Sequence, residues 1–249
     1  MCLVVFALGV FPGAPLVLAA NRDEYFARPA REAEWWRHDG VDIFGGRDLE
    51  KGGTWLGVTR VGRIAVVTNV RDVGAVRDGE RSRGFLTRDA LASASLPPQI
   101  ERARFPSFNL LVGEGEDLFY ARDDAETTRV APGLHGLSNH RLDTPWPKVR
   151  RALEALERTR DLSASTEELF AMLADGSPAD DEALPQTGVP LEVERALSSP
   201  FVRMPVVGYG TRCSTVVVRH ASGAIDFEER TFDTAGALAG TVRERIFPL

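Results

Sequence analysis

The sequence predicts an α+β fold, on three observations. Its predicted elements run as strands, a helix, strands, two or three helices and strands again, segregated rather than alternating as βαβ units do. With 249 residues, 43% of them hydrophobic, the chain can bury a full core. No internal repeat, low-complexity tract or linker divides it, so one domain over residues 1–249 is expected.

Residues 3–20 are an apolar run broken at its centre by Pro12-Gly13. No basic segment precedes the run, which argues against a signal peptide. The turn in the middle makes it a poor transmembrane segment. A β-hairpin around Pro12-Gly13, with Cys2 at the start of its first strand, explains it better. At Asn21-Arg22-Asp23-Glu24 the chain switches abruptly from apolar to ionic, which suggests emergence at a sheet edge; a solvated turn is the alternative. Glycine punctuation follows at Gly45-Gly46-Arg47-Asp48 and Gly52-Gly53-Thr54-Trp55. Residues 54–60 and 63–69 read as a second hairpin turning near Val61-Gly62, leaving Asn69 where an inner strand ends.

Phe85, Leu86, Ala90 and Leu91 recur at helical spacing and predict an amphipathic helix over 82–95. Strands are expected at 107–112, 118–121, 127–130 and 134–138. A helix over 146–158 has Thr144 as candidate cap and Pro147 in its first turn, and Ser165-Thr166-Glu167-Glu168 is a capping-box pattern before another. Residues 176–190, rich in Pro and Asp, read as a mobile surface loop. Strands at 214–219 and 224–231 pair across Ala221-Ser222-Gly223.

A net charge of −6 and a pI near 5.4 argue against a nucleic-acid surface. Two cysteines, Cys2 and Cys213, make neither a disulfide framework nor a four-ligand zinc site, and a reducing, cytoplasmic setting is expected. His38, His135, His140 and His220 show no metal-ligand spacing, so no metal site is expected. Gly52-Gly53 lacks the Gly-Lys-Ser/Thr ending of a phosphate cradle.

Cys2 is the most informative residue. Removal of Met1 would leave thiol and α-amine on one residue, a nucleophile with its own base. Their ordinary pKa values, roughly 8.5 and 7.7–8.0, allow proton exchange near neutral pH. A buried structural cysteine is the alternative that position alone leaves open.

Met1-Cys2-Leu3, Ala20-Asn21-Arg22-Asp23-Glu24, Arg28-Pro29 and Gly52-Gly53-Thr54-Trp55-Leu56-Gly57 together resemble the NRDE family, which includes the transport-and-Golgi-organisation proteins. The likeness continues through Phe108-Asn109-Leu110-Leu111, Gly136-Leu137-Ser138-Asn139 and Tyr209-Gly210-Thr211-Arg212. It implies the N-terminal-nucleophile hydrolase fold, a four-layer αββα sandwich with two antiparallel sheets between helical layers. A more distant similarity, to cysteine-type penicillin V acylases and bile-salt hydrolases, implies a processed Cys2 that cleaves a linear amide. By that resemblance Arg22 and Asp23 follow the first hairpin, Asn69 ends an inner strand, Asn139 follows a hydroxyl residue, and Arg212 lies near the nucleophile.

In that reading the Asn139 side-chain amide and the Asn69 backbone N–H form the oxyanion hole, Arg22 and Arg212 favour the thiolate, and Asp23 holds the α-amine. The bland alternatives are an Arg-Asp network closing a sheet edge, and asparagines capping strands or turns. Trp55, His135 and His140 are candidates for lining the pocket, or else ordinary core and structural residues. Cys213 is expected on the opposite face from Arg212, buried and inert. Two functions follow: transfer or hydrolysis of an acyl group from an amide or thioester with no cofactor required, or a non-catalytic carrier of haem or acyl-lipid, as the family resemblance implies.

Overall fold

The computed structural model describes residues 2–71, 74, 77–159 and 166–248. Met1 and Ser165, on which the processing step and the capping box partly rest, lie outside the described residues.

The first sheet contains β1 (Cys2–Phe11), β2 (Ala14–Tyr25), β10 (Gly133–Leu137), β12 (Tyr209–Arg219), β13 (Ile225–Phe232) and β14 (Leu238–Ile246), in the order β10-β1-β2-β12-β13-β14, with β11 (Arg203–Met204) paired to β12. The second is a meander of β3 (Ala30–His38), β4 (Val41–Asp48), β5 (Leu56–Thr59), β6 (Ile64–Asn69), β7 (Phe108–Glu114), β8 (Asp117–Arg122) and β9 (Thr128–Arg129) in chain order. Every pairing is antiparallel. The helices are α1 (Arg83–Ala92), α2 (Pro147–Arg158), α3 (Glu167–Leu173) and α4 (Leu191–Ala196).

The layering follows from side-chain alternation along the strands. Val4, Phe6, Leu16 and Leu18 of the first sheet pack against Phe44, Leu56, Val66 and Leu111 of the second. The other face of the first sheet, with Leu3, Val5, Val17 and Val216, is covered by Val149, Leu156, Leu169 and Leu173 of α2 and α3. The other face of the second, with Ile43, Ala65 and Leu110, is covered by Leu86, Ala90 and Leu91 of α1. The result is an αββα sandwich.

Both predicted hairpins, with turns at Pro12-Gly13 and at Val61-Gly62, form as expected. Three features differ. β2 does not surface after Ala20; it runs to Tyr25 between β1 and β12, and Asn21 and Asp23 are buried with hydrogen-bond partners while Arg22 is buried against the Trp55 ring. The hairpin β3-β4 and the edge strand β14 lack a clear apolar alternation and were not expected. Helix α2 begins with Trp146 rather than Thr144 at its cap position, and the Thr144 hydroxyl faces His140 Nδ1 at 2.9 Å instead.

Candidate functional site

Cys2 shares the inter-sheet face of β1 with Val4 and Phe6. Strand register sets Cys2 beside Arg22 and Arg22 beside Cys213, a thiol-guanidinium-thiol row across three strands. Asp23, one residue further, falls on the opposite, helix-covered face with Asn21. Cys2, partly accessible, lines a cavity of about 600 Å³ whose walls include Arg22, Asp23, Trp55, Asn69, Arg83 and Tyr209.

Local sequence explains how each wall is held. A Cβ on Gly46 of β4 would meet the Trp55 ring at 2.2 Å, so only glycine there leaves room for that indole. The Arg22 guanidinium stacks 4.2 Å from its ring centroid. Gly53 presses on Gly84, where a Cβ would come within 2.2 Å of the backbone, and Thr54 N–H donates to the Gly84 carbonyl at 3.1 Å. The glycine-rich motif thus seats the start of α1, which carries Arg83, against the cavity.

The two sheets are stitched together at the site. The Ser138 hydroxyl donates to the Cys2 carbonyl at 2.9 Å, and the Thr68 hydroxyl donates to the Ser138 carbonyl at 2.6 Å. Asn139 Nδ2 donates to the Asn69 carbonyl at 3.1 Å and to Asn69 Oδ1 at 2.9 Å. Arg71 N–H donates to the Asn139 carbonyl at 2.7 Å. Asn139 is therefore fully buried with its amide hydrogens committed, and Asn69 is the asparagine that lines the cavity. The expected division of labour between them is corrected accordingly.

Asp23 Oδ1 accepts from the Thr211 hydroxyl at 2.7 Å, and Thr211 Oγ1 in turn accepts Val202 N–H at 2.9 Å. Tyr209 donates its hydroxyl to the Asp23 carbonyl at 3.1 Å. Burial pushes the Asp23 carboxyl above its ordinary value, opposed by the Lys148 ammonium, the Thr211 hydrogen bond and Arg22. Burial likewise pushes the Cys2 thiol up, with Asp23 adding to the rise, while the Asp23 backbone N–H and Arg22 oppose it. Arg22 favours the thiolate as expected, but desolvation outweighs it, and Arg212 is not among the groups that act on this thiol.

Arg212 is not among the residues lining the Cys2 cavity. A bulge between Thr211 and Cys213 turns it aside, and it donates to the Tyr25 carbonyl at 3.0 Å and the Arg28 carbonyl at 2.8 Å. It lines a second cavity of about 480 Å³ with Arg22, Trp55, Cys213 and Glu229. Cys213, read as buried and inert, is buried there with its thiol pushed well up by burial and by Glu229. His135 and His140 do not line the Cys2 cavity either. His135 stacks on Phe6, four residues along β1 from Cys2, with its ring nitrogens 2.9 Å from Asp143 and from the Ala131 carbonyl. His140 stacks on Trp146.

Four site residues were not foreseen from the sequence: Tyr209 and Thr211, within the stretch Tyr209-Gly210-Thr211-Arg212, together with Arg83 and Lys148. Lys148 carried one signal, being one of two lysines in a chain whose cations are otherwise arginine. Among the described residues no group of three or more His, Cys, Asp or Glu is placed to hold a metal ion, and no helix is long and apolar enough to cross a membrane.

Residues 1–234 match the family described as Transport and Golgi organisation 2. The chain belongs to this family. The Transport and Golgi organization protein 2 homologs of Bos taurus and Homo sapiens are 35% and 33% identical to it, each match covering 93% of this chain and 93% of the relative. The Drosophila melanogaster protein is 28% identical over 93% of this chain and 92% of its own length. Among solved structures, a Caenorhabditis elegans N-acylethanolamine-hydrolyzing acid amidase ortholog aligns with a TM-score of 0.48 at 11% identity, covering 87% of this chain and 92% of that one. A C2A mutant of conjugated bile acid hydrolase from Clostridium perfringens aligns at 0.47 and 9%, covering 97% and 92%. The sandwich assigned to this family member rests on its own strand order and packing.

Proposed function

We propose that the protein is a cysteine acyl hydrolase or acyl transferase acting on a linear amide or thioester, with Cys2 as the N-terminal nucleophile once Met1 is removed. The observation that carries this reading is the position of Cys2. It begins a central strand and opens into a cavity that also presents the Asn69 amide, Arg22 and Tyr209.

In this mechanism the Cys2 sulfur attacks the carbonyl carbon and its proton passes to the α-amine. The tetrahedral oxyanion collapses, the amine or thiol leaving group takes the proton from the α-ammonium, and an acyl-thioester remains on Cys2. Water, giving its proton to the same amine, hydrolyses the thioester and restores the thiol. Asn69 Nδ2 is the candidate oxyanion donor, a role worth about 3–4 kcal/mol for one well-aimed group. Asn139 orients it by binding Asn69 Oδ1. Arg22, clamped on Trp55, fixes one wall and supplies positive charge beside the sulfur.

One observation favours the second reading, a carrier of haem or acyl-lipid without turnover: burial holds the thiol above its ordinary value.

The deciding experiment uses protein whose intact mass shows Met1 removed, exposed to a panel of acyl amides and acyl thioesters. Turnover predicts an acyl mass on Cys2 and its loss, with no product, in Cys2→Ser that still folds. Reversible haem or acyl-lipid binding with no adduct across the panel would establish the carrier.

A further inference from the structure

Lys148 occupies the second position of α2, at 1% exposure, and its Nζ makes no hydrogen bond among the described residues. Such a site is costly: an ammonium leaves water for several kcal/mol, and the amino end of a helix repels cations. Elements packed around it contribute Cys2 from β1, Asp23 from β2, Arg71 after β6 and Glu194 from α4. Glu194 is already committed. Its Oε1 accepts the Thr187 N–H and hydroxyl, and its Oε2 lies 3.1 Å from Arg71 Nη2, a pair buried on both sides. Asp23, whose Oδ1 also accepts from Thr211, is the largest single force holding the Lys148 ammonium charged, while burial and Arg71 pull its pKa down to about 8.

Once Met1 is removed, Cys2 carries the α-amine at the start of β1, beside Arg22 and Asp23 of β2. Two ammonium groups then share one carboxylate. Asp23 alone would hold the α-amine protonated, useless as a base, and would raise the thiol as well. A second cation sharing that carboxylate weakens both effects, because the cluster sheds its excess proton first. We propose that Lys148 is a positioning residue that acts through Asp23: it offsets the carboxylate's field, so Asp23 can fix the Cys2 α-amine in place while the amine stays a free base.

This inference rests on the nucleophile reading above, and its test is separable from it. Protein released from a fusion cleaved immediately before Cys2 is alkylated with iodoacetamide across pH 6–9, and the Cys2 adduct is followed by mass. Lys148→Met, which keeps length and removes charge, should remain folded with a melting temperature no lower than wild type. Its Cys2 alkylation profile should move upward by about one pH unit, roughly 10-fold slower at pH 7. Asp23→Asn combined with Lys148→Met should return the profile towards wild type. An unmoved profile in folded Lys148→Met overturns the proposal. If that variant does not fold, Lys148→Gln is measured the same way and judged by the same profile. Failure of the whole acyl panel with a shifted Lys148→Met profile would sink the hydrolase reading and leave Lys148 its role. Turnover with an unshifted profile would do the opposite.

Discussion

Asn21 begins the ionic stretch of β2, yet its environment is that of a structural clamp. It is 1% exposed and faces the helical layer. Its Nδ2 donates to the carbonyl of Leu173, the last residue of α3, at 2.8 Å and to the Pro200 carbonyl at 2.9 Å. Its Oδ1 accepts from the Ser214 hydroxyl on β12 at 2.6 Å. Asn21→Ala strands two carbonyls and a hydroxyl in a dry interior, and each orphaned partner costs about 1–3 kcal/mol, so a loss of roughly 3–9 kcal/mol is expected. Against the ~5–15 kcal/mol stability of a typical domain this is a severe change. Urea denaturation should show a lower midpoint with the slope unchanged. Asn21→Asp should be at least as damaging at pH 7, because a carboxylate oxygen replaces the donor to both carbonyls. A loss below about 1 kcal/mol for Asn21→Ala would refute the clamp. Retained stability with abolished Cys2 reactivity would instead move Asn21 into the reaction site.

Three further outcomes are expected. Glu229, buried with Ala33 N–H at 2.7 Å, keeps its proton to about pH 7 against an ordinary 4.5, so wild-type stability should fall between those values. The fall is roughly 3 kcal/mol; Glu229→Gln should lack it, and a stability gap that does not change between pH 5 and 8 would count against this assignment. Cys2 should alkylate at least ~10-fold faster than Cys213, whose thiol is both buried and raised well above its ordinary value, and equal labelling would contradict the difference in access. Gly46→Ala should push the Trp55 ring off β4 and loosen Arg22, moving the Trp55 indole resonance while the other three tryptophans hold; an unmoved resonance would disprove the close fit.

Much of the fold was legible wherever a turn signal sits between apolar runs, as at Pro12-Gly13, Val61-Gly62 and residues 221–223. Helix α1 was legible for the same local reason, and Ser82 caps it by accepting Gly84 N–H at 3.2 Å. The hairpin β3-β4 was not, because Arg31, Glu32 and Glu34 break its alternation and its Trp35 donates its indole N–H to Glu244 of distant β14, at 3.1 Å. The candidate site was legible as a set of residue types and illegible as geometry. Cys2, Arg22, Asp23 and Asn69 do line one cavity, and Asn139 reaches it through Asn69. Arg212 does not, since a single bulge in β12 redirects it and no local pattern announces a bulge. His135 and His140 were tied to the site by nearness to Asn139 in the chain, but pleating and the turn after β10 carry them elsewhere.

The two sheets differ in how they can assemble. Strands β3 to β9 pair in chain order, so the second sheet closes by short loops that cost little entropy. The first sheet must wait: β1 needs β10, and β2 needs β12, whose residues Tyr209–Arg219 pair with Tyr25–Leu16 across most of the chain. During synthesis the β1-β2 hairpin therefore stays open at both edges while a finished meander forms beside it. The cavity lies at the seam between the early sheet and the late one, and Thr211, which fixes Asp23, arrives with the last strands. The thiol is present from the beginning, but its surroundings are among the last things the chain builds, and Cys2 gains its setting only when the sandwich has closed.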